Sequence, residues 1–319
     1  MLAEKEGETQ INTGSAIWTR QKKDITDEQY KEFYHHVANV YDEPWLTLHN
    51  RAEGKIEYTN LMFIPSSKPY DLMNPDRKNR LQLYVKRVFI TDDCDDLMPA
   101  YLRFVRGIVD SEDLPLNVSR EMLQHNVVVK RIRSALIRRV FNELQKKAEK
   151  DPEEFSKFWS NFGAVLKEGP YEDHENRDKI LEIVRFNSTA SDELISLAEY
   201  VERMKKDQTE IYYISGEGLD LVKASPQLEG FKARGIEVLL MTDPVDEFWL
   251  PMVGQFDEKS FTSATSGSVD LSKIKRVKDK KETDEKRKLS ETKQTKPGID
   301  PECCLNFTNF STIFQVAHV

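Results

Sequence analysis

Cysteine is scarce in this chain: Cys94, Cys303 and Cys304 are its only three in 319 residues. Three thiols, two of them adjacent, make no disulfide framework, and no Cys/His spacing fits a zinc site. Long apolar runs are missing as well. No stretch reaches the roughly 18 apolar residues a membrane span needs, and the opening MLAEKEGETQ is too polar for a secretory leader. The phosphate-cradling patterns G-x-x-x-x-G-K-[ST] and G-x-G-x-x-G do not occur, nor does G-x-S-x-G. Positive charge is not in excess either. A formal net charge of −8 argues against bulk attraction to nucleic acid or to an anionic membrane. These absences predict a protein of the reducing cytoplasm with no metal site, nucleic-acid partner or membrane partner.

What is present suffices for two folded units, since 39% of the residues are hydrophobic. Thr26 and Gln29 have capping-box spacing and predict a helix from about Asp27 to Val40. Its His35-His36 pair points about 100° apart around a helix, too far to share a metal. KIEYTNLMFIP and LQLYVKRVFI read as strands, the second with Leu81, Leu83, Val85 and Phe89 on one face. The loop between them exposes Tyr70, Leu72 and Met73. A short helix is expected around DDLMPAYLRF, capped by the acids of Asp92 to Asp96, and then an extended RGIVDSEDLP.

From Arg120 to about Lys150 the pattern is that of one long helix. Val128, Ile132, Leu136, Val140 and Leu144 form an i, i+4 stripe flanked by Val129, Ile137 and Phe141. Asp151-Pro152 restarts a second helix with Phe155, Phe158, Trp159, Phe162 and Val165, and a third spans about Arg177 to Val184. A second capping box, Ser196 with Glu199, comes next. EIYYIS, GLDLVKASPQLEGFKARG and IEVLLMT then alternate as strand, helix and strand, a parallel βαβ unit closed by a helix in DPVDEFWLPMV. After about Gly267 charge dominates without apolar periodicity, which predicts disorder from about residue 268.

One residue stands against its surroundings. Arg120 opens a helix in LPLNVSREMLQ, where the backbone already carries partial positive charge, at a local cost of about 0.3–1 kcal/mol. An anion arriving from outside would satisfy helix end and guanidinium together, with Asn117 and Gln124 bracketing the turn. A weak surface salt bridge to Glu121 is the competing reading.

Five segments carry a family resemblance: IWTRQKKDITDEQYKEFY, HNRAEGKIEYTNLMFIPSSKPYDL, LYVKRVFITDDCDDLMPAYLRFVRGIVDSEDLPLNVSREMLQ, FWSNFGAVLKEGPYED and GIEVLLMTDPVDEFWL. They closely resemble the middle segment of the heat shock protein 90 chaperones, in their bacterial branch, from about Gly14 to Ser266. The resemblance implies an α/β protein. An α-β-α sandwich of the ribosomal-protein-S5-domain-2-like kind (15–137) succeeds a linker (1–14). A helical connector (138–185), a small αβα subdomain (186–258) and an off-pattern tail (259–319) complete it. It implies that Arg120 reaches the γ-phosphate of ATP held by an N-terminal ATPase domain, with Asn117 and Gln124 supporting the loop. It further implies that Trp18 contacts unfolded client protein and that Tyr70 to Met73 meets the ATP domain.

The departures are also expectations. No nucleotide-binding or dimerisation domain is visible, so the chain is expected to be a monomer, to bind clients, to bind ATP no better than about millimolar, and to be inactive alone. Acting in trans on a separate ATP domain is one alternative. The apolar, Cys-Cys-containing end resembles translation past a frameshift, so a non-functional fragment of a chaperone gene is another.

Overall fold

The structure, a computed structural model, describes residues 15–267 apart from 93, 118, 119, 124 and 125, together with 269, 271 and 274; at position 120 it describes the backbone alone. Helix α1 (Asp27–Ala38) begins as the sequence predicts. The Thr26 hydroxyl accepts the Gln29 N–H and the Gln29 side chain accepts the Thr26 N–H, at 3.3 and 3.2 Å. Asn39 ends it in the left-handed conformation, φ 52°, which asparagine tolerates.

This helix covers one face of a sheet built from β1 (Pro44–Ala52), β2 (Tyr58–Pro65), β3 (Arg80–Val85), β4 (Val88–Thr91) and β5 (Arg106–Ser111). The strand order is β1-β2-β5-β3-β4, with β3 and β5 parallel and the other pairs antiparallel. Strand β2 shows why both faces are covered. Leu61 and Phe63 pack with Tyr34 of α1 and Ile108, while Met62 and Ile64 join the core on the opposite face. At the centre Gly107 has φ 128°, and a Cβ there would lie 2.2 Å from the Leu61 carbonyl oxygen. The two central strands approach as they do because that side chain is missing.

Two expectations fail here. LQLYVKRVFI is not one strand but the β3–β4 hairpin, turned by Lys86 and Arg87 at φ 50° and 68°. That two-residue turn resets the alternation, so Phe89 is 51% exposed instead of facing the core with Leu83. Among the described residues the acids near Asp92 cap no helix: the 3-10 turn after them, Ala100–Leu102, starts at Pro99 without a side-chain cap.

The second face of the sheet meets helices. After a single turn, α2 (Arg120–Leu123), come α3 (Val127–Lys150), α4 (Pro152–Leu166), α5 (Gly169–Glu172) and α6 (Arg177–Ile183). The α3 stripe is buried as predicted, apart from Val128, which is half-buried. Its start is not where the sequence pattern put it. Asn126 caps it, its side-chain oxygen accepting from Val128 N at 2.8 Å and Val129 N at 3.4 Å. Arg120 therefore lies outside the long helix. Because α3 runs unbroken through residue 138, a boundary at 137 falls inside it.

The second sheet has the order β6-β8-β7-β10-β9, from β6 (Asn187–Ser188), β7 (Glu210–Ser215), β8 (Leu239–Met241), β9 (Gln255–Phe256) and β10 (Lys259–Ser263). Both β8 and β10 run parallel to β7. Helix α7 (Leu197–Arg203) carries the predicted reciprocal cap, Ser196 N to Glu199 Oε2 at 2.7 Å and Glu199 N to Ser196 Oγ at 3.1 Å. The helix expected between β7 and β8 is broken at Pro226 into α8 (Leu219–Lys223), a 3-10 turn and α9 (Glu229–Lys232). Helix α10 (Asp246–Val253) comes after β8. Residues 259–263, assigned to the tail by sequence, are an internal strand. Val269, Leu271 and Ile274 pack on the second core, where Arg234 Nε donates to the Leu271 and Ile274 carbonyls at 2.9 and 3.1 Å. The rest of the segment expected to be disordered lies outside the described residues. Among the described residues no helix is long and apolar enough to cross a membrane, and no group of three ligands could hold a metal.

Candidate functional site

The turn with Arg120 hangs from the end of β5. Glu112 N donates to Glu57 O at 3.0 Å, and Glu57 N donates back to the Asp113 carboxylate at 2.7 Å. Ser111 Oγ accepts from Asp113 N and Leu114 N, both at 3.3 Å. Leu114 and Leu123 are buried at either end, whereas Leu116, Met122 and Val127 are 54, 52 and 61% exposed. The segment is thus a surface turn pinned by two apolar anchors, with Asn117 exposed and the Arg120 backbone in the single turn α2. With four residues, α2 has little of the aligned dipole that one long helix starting at Arg120 would supply. Gln124 lies outside the described residues.

The loop of Tyr70 to Met73 is anchored at the opposite end of β5. Tyr70 is 93% and Met73 58% exposed, as expected, but Leu72 is 1% exposed and serves as an anchor. Arg106, the first residue of β5, donates to Asp71 Oδ1 at 2.9 Å, and Arg80 pairs with the same carboxylate at 3.2 Å. Arg103 Nε donates to the Leu72 carbonyl at 2.8 Å. Arg103 and Arg106 are both buried. Sequence reasoning missed this pair, although arginines inside the apolar run AYLRFVRGIV were a signal: a buried cation needs a partner.

Trp18 is half-buried rather than free. Its Nε1–H donates to Asp110 Oδ2 at 2.8 Å, and its ring packs on Phe33 and Tyr84, with centroids 5.7 and 5.0 Å away. His49 Nε2 lies 2.9 Å from the Trp18 carbonyl, which can only accept, so Nε2 carries the hydrogen and Nδ1 accepts from the Tyr30 hydroxyl at 2.7 Å. Burial holds this imidazole below its ordinary pKa, which suits the neutral tautomer.

Two cavities, of about 990 and 930 Å³, lie around Tyr101 and around Arg185, and neither is lined by residues 112–126. Among its described residues, the turn lies at the surface and lines neither cavity.

The family described as Hsp90 protein matches residues 2–303. The matched range extends past Ser266 into the charged stretch after Gly267. The chain is 61% identical over 273 residues to the chaperone protein HtpG of Paramagnetospirillum magneticum, covering 86% of this chain and 44% of that one. It is 52% identical over 284 residues to HtpG of Rhodospirillum rubrum, covering 89% and 45%. The chain spans less than half the length of these curated relatives. Among solved structures it is similar to the middle domain of a putative heat shock protein of Plasmodium falciparum. That likeness has a TM-score of 0.69 at 34% identity and covers 79% of this chain and all of the other.

Proposed function

The chain belongs to the Hsp90 protein family, and on that basis we propose that it works as the middle segment of an ATP-dependent molecular chaperone. Its fold is that of an Hsp90 middle domain. In this reading it binds unfolded client protein and lends Arg120 to an ATPase domain that holds the nucleotide. The supporting observation is the surface turn between Leu114 and Leu123, pinned at both ends and edged by exposed apolar side chains. Such an edge suits docking against another folded domain.

By residue type, Arg120 with Asn117 and Gln124 suits a contact to one phosphate. ATP supplies the phosphoanhydride to be cleaved. Arg120 would offer its γ-phosphate a planar, permanently charged fork. Asn117 and Gln124 would hold the turn in place. The test is to mix the chain with a nucleotide-binding domain from an HtpG relative and follow ATP hydrolysis. Saturable stimulation supports the reading, and none at any concentration defeats it.

The client contact at Trp18 has a structural competitor in the Asp110 hydrogen bond. Trp18→Phe keeps a ring but drops the N–H, and is expected to cost about 1.5–3 kcal/mol, the range for a hydrogen bond to a charged group. If Trp18 also grips clients, Trp18→Phe should retain most affinity for an unfolded probe protein and Trp18→Ala should lose it. Equal affinity for both variants and the parent, in folded protein, leaves Trp18 a packing residue only.

A further inference from the structure

We propose that Arg103 and Glu168 are positioning residues for the loop carrying Tyr70 and Met73, so that the presentation of this loop is set by the helical connector. The proposal rests on the reading that this loop docks on the nucleotide-binding domain.

The geometry is specific. Glu168 lies just past the last turn of α4 and receives Arg103 in a two-pronged pair, Nη1 to Oε2 at 2.6 Å and Nη2 to Oε1 at 2.9 Å. The same guanidinium donates through Nη1 to the Ala100 carbonyl at 3.0 Å and through Nε to the Leu72 carbonyl. Arg103 is 4% exposed, so these bonds form away from water, where a planar fork engaged at all three nitrogens has little freedom. Arg77, on the far side of the loop, pairs with Glu168 and with Glu172 of α5.

The two halves of the loop thus answer to different bodies. Asp71 is tied to the sheet through Arg106 and Arg80, and Leu72 is tied to the connector through Arg103 and Glu168. Tyr70 and Met73 flank these anchors and are largely exposed. Shifting or neutralising Glu168 releases Arg103, and with it the hold on the Leu72 backbone, while Asp71 stays fixed. The neighbouring residue, Lys167, points to the second sheet's side, with Nζ 2.8 Å from Asp243 and 3.0 Å from Asp246. One short stretch at the end of α4 therefore faces both the loop and α10.

The experiment uses Glu168→Gln, which keeps the side-chain shape and one acceptor but loses the charge, beside Arg77→Met as a control at the more exposed partner. Amide hydrogen exchange of the whole chain should accelerate at least tenfold at residues 70–74 in Glu168→Gln, with β5 and α3 unchanged, and less than threefold in Arg77→Met. In the hydrolysis assay with the separate nucleotide-binding domain, half-saturation should need several-fold more Glu168→Gln chain, while the rate at saturation stays the same. Unchanged exchange at 70–74 overturns the proposal. So does a uniform acceleration that includes β5, which would make Glu168 a general stabiliser. Faster exchange at 70–74 with unchanged half-saturation keeps Glu168 as the loop's anchor and overturns the docking reading instead.

Discussion

Replacing Arg120 by alanine is expected to lower ATP hydrolysis at least tenfold when the chain is combined with a nucleotide-binding domain of the family, with nucleotide affinity nearly unchanged. The effect comes from charge. In phosphoryl transfer an arginine that meets the γ-phosphate only as charge shifts onto it contributes about 10³–10⁵ in rate. The smaller figure is set here because in many enzymes a closure step, not chemistry, limits turnover and masks part of a chemical defect. Arg120→Lys should recover little, since an ammonium keeps the charge without the planar fork. Asn117→Ala should give a smaller loss, since its proposed part is to hold the turn and not to meet the phosphate. Folding should be untouched. The turn is pinned by Leu114 and Leu123 and by the Ser111 and Asp113 hydrogen bonds. A thermal melt beside the hydrolysis assay decides the matter. Unchanged turnover makes Arg120 a surface charge, and a lowered melting temperature makes it a structural one.

Replacing Lys167 by methionine should cost about 3–5 kcal/mol of stability, the range for removing one partner of a buried ion pair. Lys167 is 3% exposed and its Nζ joins Asp243 to Asp246, while also lying 4.6 Å from the centre of the Phe186 ring. Asp246 is fully buried, and its carboxylate also accepts from the Trp249 Nε1–H at 2.8 Å. Burial pushes the Asp246 carboxyl above the ordinary carboxylate range, and Lys167 opposes that push. Without the lysine the carboxyl rises further and takes a proton. A carboxyl raised in the folded state stabilises that state at low pH and loses the contribution as pH rises. The deficit of Lys167→Met should therefore be smaller at pH 5 than at pH 8. Denaturant melts at the two values check it, and a deficit below about 1 kcal/mol at both would show that the pair is not a stabilising one.

Local chemistry explains what the sequence revealed. Both capping boxes, the α3 stripe and the parallel β7–β8 pair were legible because each rests on residues a few positions apart or on a plain strand–helix–strand alternation. The β3–β4 hairpin was not, since Lys86-Arg87 lacks the glycine or asparagine that announces such a turn. Strand β10, KSFTS, is short and polar, and its place in the sheet comes from its neighbours β7 and β9. The start of α3 was misplaced because Arg120-Glu121-Met122-Leu123 is itself helical, and the Asn126 cap that begins α3 comes after it. The site itself was partly legible. Tyr70 and Met73 read as exposed, and Trp18 was singled out through the family resemblance alone. Arg103, Glu168, Lys167 and Asp246 were not, because each partner lies 65 or more residues away and charge alone does not choose among 55 carboxylates.

The internal position of β10 has a consequence for synthesis at the ribosome. The first sheet has all five strands once Ser111 has emerged, but the second lacks the strand between β7 and β9 until Ser263 does. At about 5–20 residues per second this is a wait of roughly 8–30 s. In the last part of that interval, once Ser215 is out, β7 presents an open edge with unpaired N–H and C=O groups, the kind of surface that recruits foreign strands. Until β10 arrives, that edge is expected to be open to strand addition by holding factors. Force-sensing arrest fusions ending before Lys259 and after Ser263 would register the difference as a late folding step confined to the longer product.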